Sequence, residues 1–329
     1  MDSTKILKFA AVLLLYCCLL SSSAESSELK VGFYGYTCPQ AEILVRKAVS
    51  KNPGFAAAII RMHFHDCFVR GCDGSVLLDT IPGHPAAEKD SPINNPSLRG
   101  YEVIDEAKAM VEAVCPKTVS CADIVAFAAR DSALVAGHIW YDVPSGRRDG
   151  RVSLSSEVVQ NLPPPFFNAA QLRDNFDAKG LSLDEMVTLS GAHSIGVSHC
   201  SAFAPRLYGF NATFAQDPSL DPGYASFLKT RCPPPPGRNG EDPIVNNDVA
   251  TPTILDNKYY SGLTERTGLL TSDQTLFESE LTRNIVVDNA KYGAVWGKKF
   301  GAAMVKMGYI DVLTGKEGEI RKNCHFVNY

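Results

Sequence analysis

Beyond residue 24 the chain has no long hydrophobic run. Across its 329 residues there is no Cys-x-x-Cys pair, no block of basic residues and no internal repeat. Each absence excludes something. Spanning a bilayer takes about 20 consecutive apolar helical residues, so no segment after residue 24 is a candidate span. Without closely paired thiols, structural zinc is disfavoured. The formal charge is −4, of which −1 belongs to residues 1–28. A weakly acidic chain without basic clusters argues against nucleic acid or an anionic membrane as its main partner. Alternating strand patterns are also missing, apart from short candidates near Arg151–Leu154. No linker is long enough to separate two independent domains, so the expectation is one all-α domain over residues 25–329 that acts as a monomer.

Residues 1–24 read as a signal peptide. Lys5 and Lys8 give the positive start, Phe9 to Leu20 the apolar core, and Ser22-Ser23-Ala24 the small-residue cleavage site. Of the ten cysteines, Cys17 and Cys18 leave with this segment. Eight remain, an even number in an exported chain, which argues for four disulfides among about 105 possible connectivities. Asn211-Ala212-Thr213 is a usable glycosylation sequon, whereas Asn95-Pro96-Ser97 is excluded by its proline.

Helical spacing dominates. Val103, Ile104, Ala107, Met110, Val111 and Val114 share a face. Ser120 with Asp123 opens a helix running to about Val135, Asn168 opens another, and Ser182-x-x-Glu185 is a capping box before Met186 to Ser190. Pro144 to Pro165 reads as a long loop, and Cys232 to Pro243 as a Pro/Gly-rich excursion. Helices return from Asp256 to about Leu263 and from Phe277 to about Phe300.

The stretch that carries chemistry is Arg61-Met62-His63-Phe64-His65-Asp66-Cys67-Phe68-Val69-Arg70-Gly71-Cys72-Asp73-Gly74-Ser75. On a helix Arg61 and His65 lie on one face, a fixed cation one turn from a base that titrates near neutrality. His63 points elsewhere. The oxygen-rich loop behind it, with Asp66, Asp73 and Ser75 spaced around two glycines, suits a hard cation. Taken singly, the pair reads as a surface ion pair and the loop as a turn; their conjunction within fifteen residues is what carries weight. The stretch resembles the distal haem-side motif of the secretory plant (class III) haem peroxidases.

That resemblance extends from about Gly32 to Asn323 and implies further roles. Leu189-Ser190-Gly191-Ala192-His193-Ser194-Ile195-Gly196 resembles the proximal motif, with His193 as axial ligand of one haem b. Asp273, in Thr271-Ser272-Asp273-Gln274, would accept the other ring hydrogen of His193; alone it reads as an N-cap. His65 would be the distal acid–base group, oriented by Asn94, which Glu88 would bond in turn. Arg61 would stabilise the departing oxygen, and Pro163 would sit at the substrate mouth with Phe166 and Phe167 nearby. Two calcium ions are implied. The distal one takes Asp66, Val69, Gly71, Asp73 and Ser75, with Val69 and Gly71 acting through carbonyls. The proximal one takes Ser194, Asp248, Thr251, Ile254 (carbonyl) and Asp256. The implied disulfides are Cys38–Cys115, Cys67–Cys72, Cys121–Cys324 and Cys200–Cys232.

The expected activity is that of a secreted donor:hydrogen-peroxide oxidoreductase, reducing H2O2 while oxidising phenolic or other small aromatic donors one electron at a time. One departure stands out: only 23 steps separate Cys38 from Arg61, about one helical turn fewer than the family pattern. If that blocks haem uptake, the alternative is an impaired, calcium-bound, disulfide-rich cell-wall binding protein. An intracellular, ascorbate-using relative is opposed by the signal peptide and the eight cysteines. Only five residues follow Cys324, which favours the cell exterior over the vacuole.

Overall fold

The computed structural model describes residues 29–234 and 241–328. The signal-peptide reading therefore lies outside the described residues, as does the middle of the Cys232–Pro243 excursion. The helices in chain order are α1 Ala41–Lys51, α2 Ala56–Val69, α3 Tyr101–Val114, α4 Cys121–Gly137, α5 Ser155–Asn161, α6 Ala169–Asp177 and α7 Leu183–Ser190. They continue with α8 Ala204–Leu207, α9 Pro222–Arg231, α10 Lys258–Thr264, α11 Thr271–Glu278, α12 Arg283–Lys291 and α13 Gly293–Met307. The all-α expectation holds. The expected caps are there: Ser120 accepts from Asp123 N–H, and Asn168 and Ser182 both form capping boxes.

Helix α2 is the organising element. Ten of its fourteen residues are buried, as a helix apolar nearly all round must be. Ile59 and Met62 enter a cluster with Val45, Ile104 and Phe127, while Ile60 and Phe68 enter another with Met186, Tyr260, Trp296 and Phe300. It packs most extensively against α4, so its histidines are held where the two cores meet. Between α1 and α2, Asn52 leaves the helical region and a single 3-10 turn, Pro53–Phe55, follows. The Cys38–Cys115 bridge nonetheless closes, with Cα atoms 5.7 Å apart.

Several expectations need correction. The reading of 144–165 as loop misses α5, whose Glu157 accepts two 2.7 Å bonds from Arg70 Nη1. Arg151–Leu154 is not a strand; that neighbourhood shows isolated bridges, Arg148 with Leu313 and Asp149 with Glu319. The described strands are β1 Val197–His199 and β2 Ile244–Asn246, paired antiparallel. The helix expected from 277 to 300 is broken into α11, α12 and α13. Side-chain bonds end its pieces: Thr282 Oγ1 donates to Leu276 O and Arg283 to Phe277 O and Glu278 O, five or six residues back, and from farther off Asn257 Nδ2 donates to Asn289 O and Ala290 O. These partners satisfy carbonyls that a continuing helix would otherwise take up. All four disulfides pair as the resemblance implied.

Candidate active site

Arg61 and His65 project from α2 one turn apart. His65 is buried, and its Nδ1 lies 2.7 Å from Asn94 Oδ1. The orientation of that amide is fixed from behind, because Asn94 Nδ2 donates to Glu88 O at 2.7 Å. With the amide oxygen facing the ring, Nδ1 must carry the hydrogen, leaving Nε2 with a free lone pair. Burial, and then the Arg61 charge, push the imidazolium far below the usual histidine range, the Asn94 bond opposing. His65 is therefore a neutral base. The expectation for Glu88 needs amending: its backbone carbonyl holds Asn94. Its buried carboxylate lacks a well-formed hydrogen bond, with Ser75 the nearest hydroxyl.

The Arg61 guanidinium is anchored by Ser97 Oγ, 3.1 Å from both Nη atoms, and by Ile93 O at 3.2 Å. Burial lowers its pKa to about 10, so it remains a cation. Neither anchor is legible locally; Ser97 had drawn notice only in a failed sequon.

On the other side, His193 lies in a 3-10 turn, Gly191–Ser194, that extends α7 rather than ending it. Gly191 is there for space, not for a left-handed turn: its φ is −61°, and a Cβ would meet Tyr260 Oη at 2.6 Å and Trp296 Cζ2 at 2.7 Å. His193 Nδ1 lies 2.7 Å from Asp273 Oδ1, which also accepts from Tyr259 Oη at 3.0 Å, while Asp273 Oδ2 accepts from Leu270 N–H. Asp273 is thus the third residue of α11 and not its N-cap, which is Leu270; its carboxylate binds the Leu270 amide and the histidine together. Burial disfavours imidazolium at His193, but Asp273 outweighs it and raises the pKa. Burial likewise pushes Asp273 up, and His193, the Leu270 amide and Tyr259 bring it below the usual carboxylate range.

The His193 side chain is 41% exposed, and the Arg61 charge is near enough to oppose its protonation slightly. On one side stands an imidazole held by a carboxylate, on the other an arginine and a neutral histidine. Phe64, Ile93 and Phe167 are apolar residues only partly buried against the core. The residues fit a flat apolar group carrying an axial ligand.

The distal oxygen-rich loop also fits a cation. Asp66 and Asp73 are buried together; burial, and for Asp66 the charge of Asp73, raise both pKa values. Their oxygens take the Gly74 and Ser75 amides at 2.9 Å, yet buried Ser75 Oγ, near the Asp73 and Glu88 carboxylates, makes no well-formed hydrogen bond. Gly150 makes room, since a Cβ there would stand 2.1 Å from Asp73 Oδ2. Two buried carboxylates and a poorly bonded hydroxyl call for a positive ion. Val69 ends α2, and Gly71 follows on the same turn. At the proximal loop, Thr251 Oγ1 lies 3.3 Å from Asp248 Oδ2 and 3.0 Å from Asp256 Oδ1. Ser194 Oγ accepts from Asp256 N–H, and Ile254 N–H donates to Thr251 O. Burial raises Asp248.

A third grouping, His63 with Cys67 and Cys72, is no metal site, because the sulfurs are bonded to each other and only thiolate ligates. Pro163 follows α5, and its loop docks onto α11 through Pro165 O, which accepts from Ser272 N–H. Phe166 is exposed and Phe167 half-buried.

A family model described as peroxidase matches residues 42–292. Peroxidase 5 of Vitis vinifera is 54% identical over 319 residues, covering 96% of this chain and 95% of the relative. Peroxidase 2 of Zea mays is 48% identical over 327 residues, 98% and 96% of the two chains. Peroxidase 37 of Arabidopsis thaliana is 44% identical over 319 residues, 94% and 91%. The chain belongs to the peroxidase family. This plant haem peroxidase reduces H2O2 at the expense of small donors, and haem and calcium are its cofactors. The binding-protein alternative is not favoured, and α2 supports its Arg61–His65 pair despite the shorter approach. No helix among the described residues is long and apolar enough to cross a membrane.

Proposed function

We propose that the two histidines divide the reaction between them: His193 holds the haem iron, and His65 moves the proton. The single observation that carries this is their opposite bonding, His65 to a neutral amide and His193 to a carboxylate. Haem, when bound, supplies the two electrons that peroxide takes up and recovers them one at a time from two donor molecules. His65 Nε2, free and unprotonated, accepts the proton of the nearer peroxide oxygen and delivers it to the departing one, which leaves as water. Asn94 keeps Nδ1 hydrogenated throughout. Arg61 places its charge beside the oxygen on which negative charge develops. Asp273, by drawing on the Nδ1 hydrogen, makes His193 Nε2 a stronger donor to iron. Calcium held by Asp66, Val69, Gly71, Asp73 and Ser75 would brace the end of α2, and calcium held by Ser194, Asp248, Thr251, Ile254 and Asp256 would brace the His193 turn.

Phenolic donors approach the edge beside Pro163, where exposed Phe166 offers a ring to stack on. The domain acts as a secreted monomer in the cell wall rather than the vacuole, without nucleic acid or membrane, and carries a glycan on exposed Asn211. The test is an absorption spectrum before and after one equivalent of H2O2, with His65→Ala beside the parent. A haem band that does not respond in the parent would end this reading.

A further inference from the structure

The loop that orients the distal base is fastened from outside by the C-terminal tail, and the fastening depends on a histidine. His325 has both ring nitrogens against carboxylates: Nδ1 is 2.8 Å from Asp79 Oδ2, and Nε2 is 2.9 Å from Asp105 Oδ2 on α3. Its carbonyl accepts from Asp79 N–H at 3.0 Å. The other Asp79 oxygen receives Lys89 Nζ, which also stands 3.3 Å from His325 Nδ1 and lies over the Tyr101 ring. Lys89 sits in the 3-10 turn Glu88–Asp90, and the preceding residue is Glu88, whose carbonyl accepts from Ser91 N–H at 3.0 Å and from Asn94 Nδ2. A continuous run of bonds thus leads from His325 through Asp79, Lys89 and the Glu88 carbonyl to Asn94 and His65.

We propose that His325, Asp79 and Lys89 are positioning residues for the distal base, and that through them the tail holds the loop Glu88–Asn94 in register. This rests on the reading of His65 as the base. The charged groups facing His325 are Asp79 and Lys89 from the loop side and Asp105 from α3. Removing the ring would cut the contacts to Asp79 and Asp105 at once and free the Asp79–Lys89 pair from the tail.

The experiment compares haem-loaded parent, His325→Ala and His325→Arg, reading the rate of reaction with H2O2 by rapid mixing from pH 5 to 8, and amide hydrogen exchange across residues 88–94. His325→Ala should react about threefold to tenfold more slowly, as expected when coupling is lost through a bonded network. The Ser91 and Asn94 amides should exchange faster in the same variant. His325→Arg, which can donate to both carboxylates, should restore rate and protection. Should His325→Ala not fold, Asp105→Asn weakens one of the two ring contacts and should speed exchange of the same amides and slow the rate in the same direction. A variant with a lower melting temperature but the parent's rate would overturn the proposal. So would faster exchange with an unchanged rate. Failure of the base assignment would appear instead in His65→Ala, and the two failures are separable.

Discussion

The distal and proximal halves use the same side chain and drive it in opposite directions. His65 bonds to an amide that brings no charge, beside an arginine, and is held neutral. His193 bonds to a buried carboxylate and is pulled toward the cation. The supports differ too. Asn94 is oriented by one carbonyl of a short loop, whereas Asp273 is fixed by a helix N-terminus and a tyrosine. A proton shuttle needs a group that gains and loses its proton without rebuilding its surroundings, while a ligand needs constant electron density. Each neighbour supplies what its histidine's task requires.

The largest test of this contrast replaces each ring. His193→Ala should lose or alter the haem spectrum, with added imidazole restoring part of it. His65→Ala should keep its haem yet react with H2O2 about 10²–10⁴-fold more slowly, the contribution of a positioned acid–base group. An unchanged iron spectrum in the first, or a rate within tenfold of the parent in the second, would break the assignment on that side.

Exchanging the partner rather than the ring comes next. Asp273→Asn should retain haem, raise the resting iron potential and slow peroxide cleavage about 10- to 100-fold, as changes to groups supporting a metal ligand do. A potential equal to the parent's would return Asp273 to its role in α11 alone.

Calcium removal should affect both halves, with a pH dependence whose sign is fixed. Burial, and then Asp73, raise Asp66; burial raises Asp73 and Asp248. A carboxyl whose folded pKa lies above its unfolded value favours the fold only while protonated. Chelated protein should therefore lose stability as pH rises above about 4. Calcium-loaded protein should show the opposite trend, because protons compete with the ion as pH falls. Melting temperatures at pH 4 and 7, with and without chelator, decide it. Curves that coincide after metal analysis confirms removal would dismiss the calcium sites.

The smallest effect concerns an anchor that sequence reading overlooked. Ser97→Ala leaves Arg61 with Ile93 O as its remaining hydrogen-bond anchor, so the peroxide rate should fall about fivefold, roughly the worth of one ordinary hydrogen bond. No change would mean that the carbonyl alone suffices.

Local signals made much of this readable. Ser120, Asn168 and Ser182 announce their helices because capping is settled within four residues. Arg61 and His65 share a face because i and i+4 always do. What failed lay outside the familiar capping spacings. The break between α11 and α12 rests on Thr282 and Arg283 reaching back five or six residues to Leu276, Phe277 and Glu278, and the break before α13 on Asn257, more than thirty residues away. Helix α5 carries no capping side chain at Leu154, so nothing in its own sequence marks its start.

The sequence by itself determined the helical class, the capped helix starts and the facing of Arg61 with His65, since each follows from a repeat of a few residues. Motif likeness gave the two histidines and the disulfide pairing, and folding brought them together. Only tertiary structure decided that His65 stays neutral while His193 is drawn toward charge. It also decided that Glu88 acts through its backbone and that Ser97 and Tyr259 belong to the site. A residue's protonation is set by burial and by the charge of neighbours that may lie tens of residues away, and no local pattern encodes that distance.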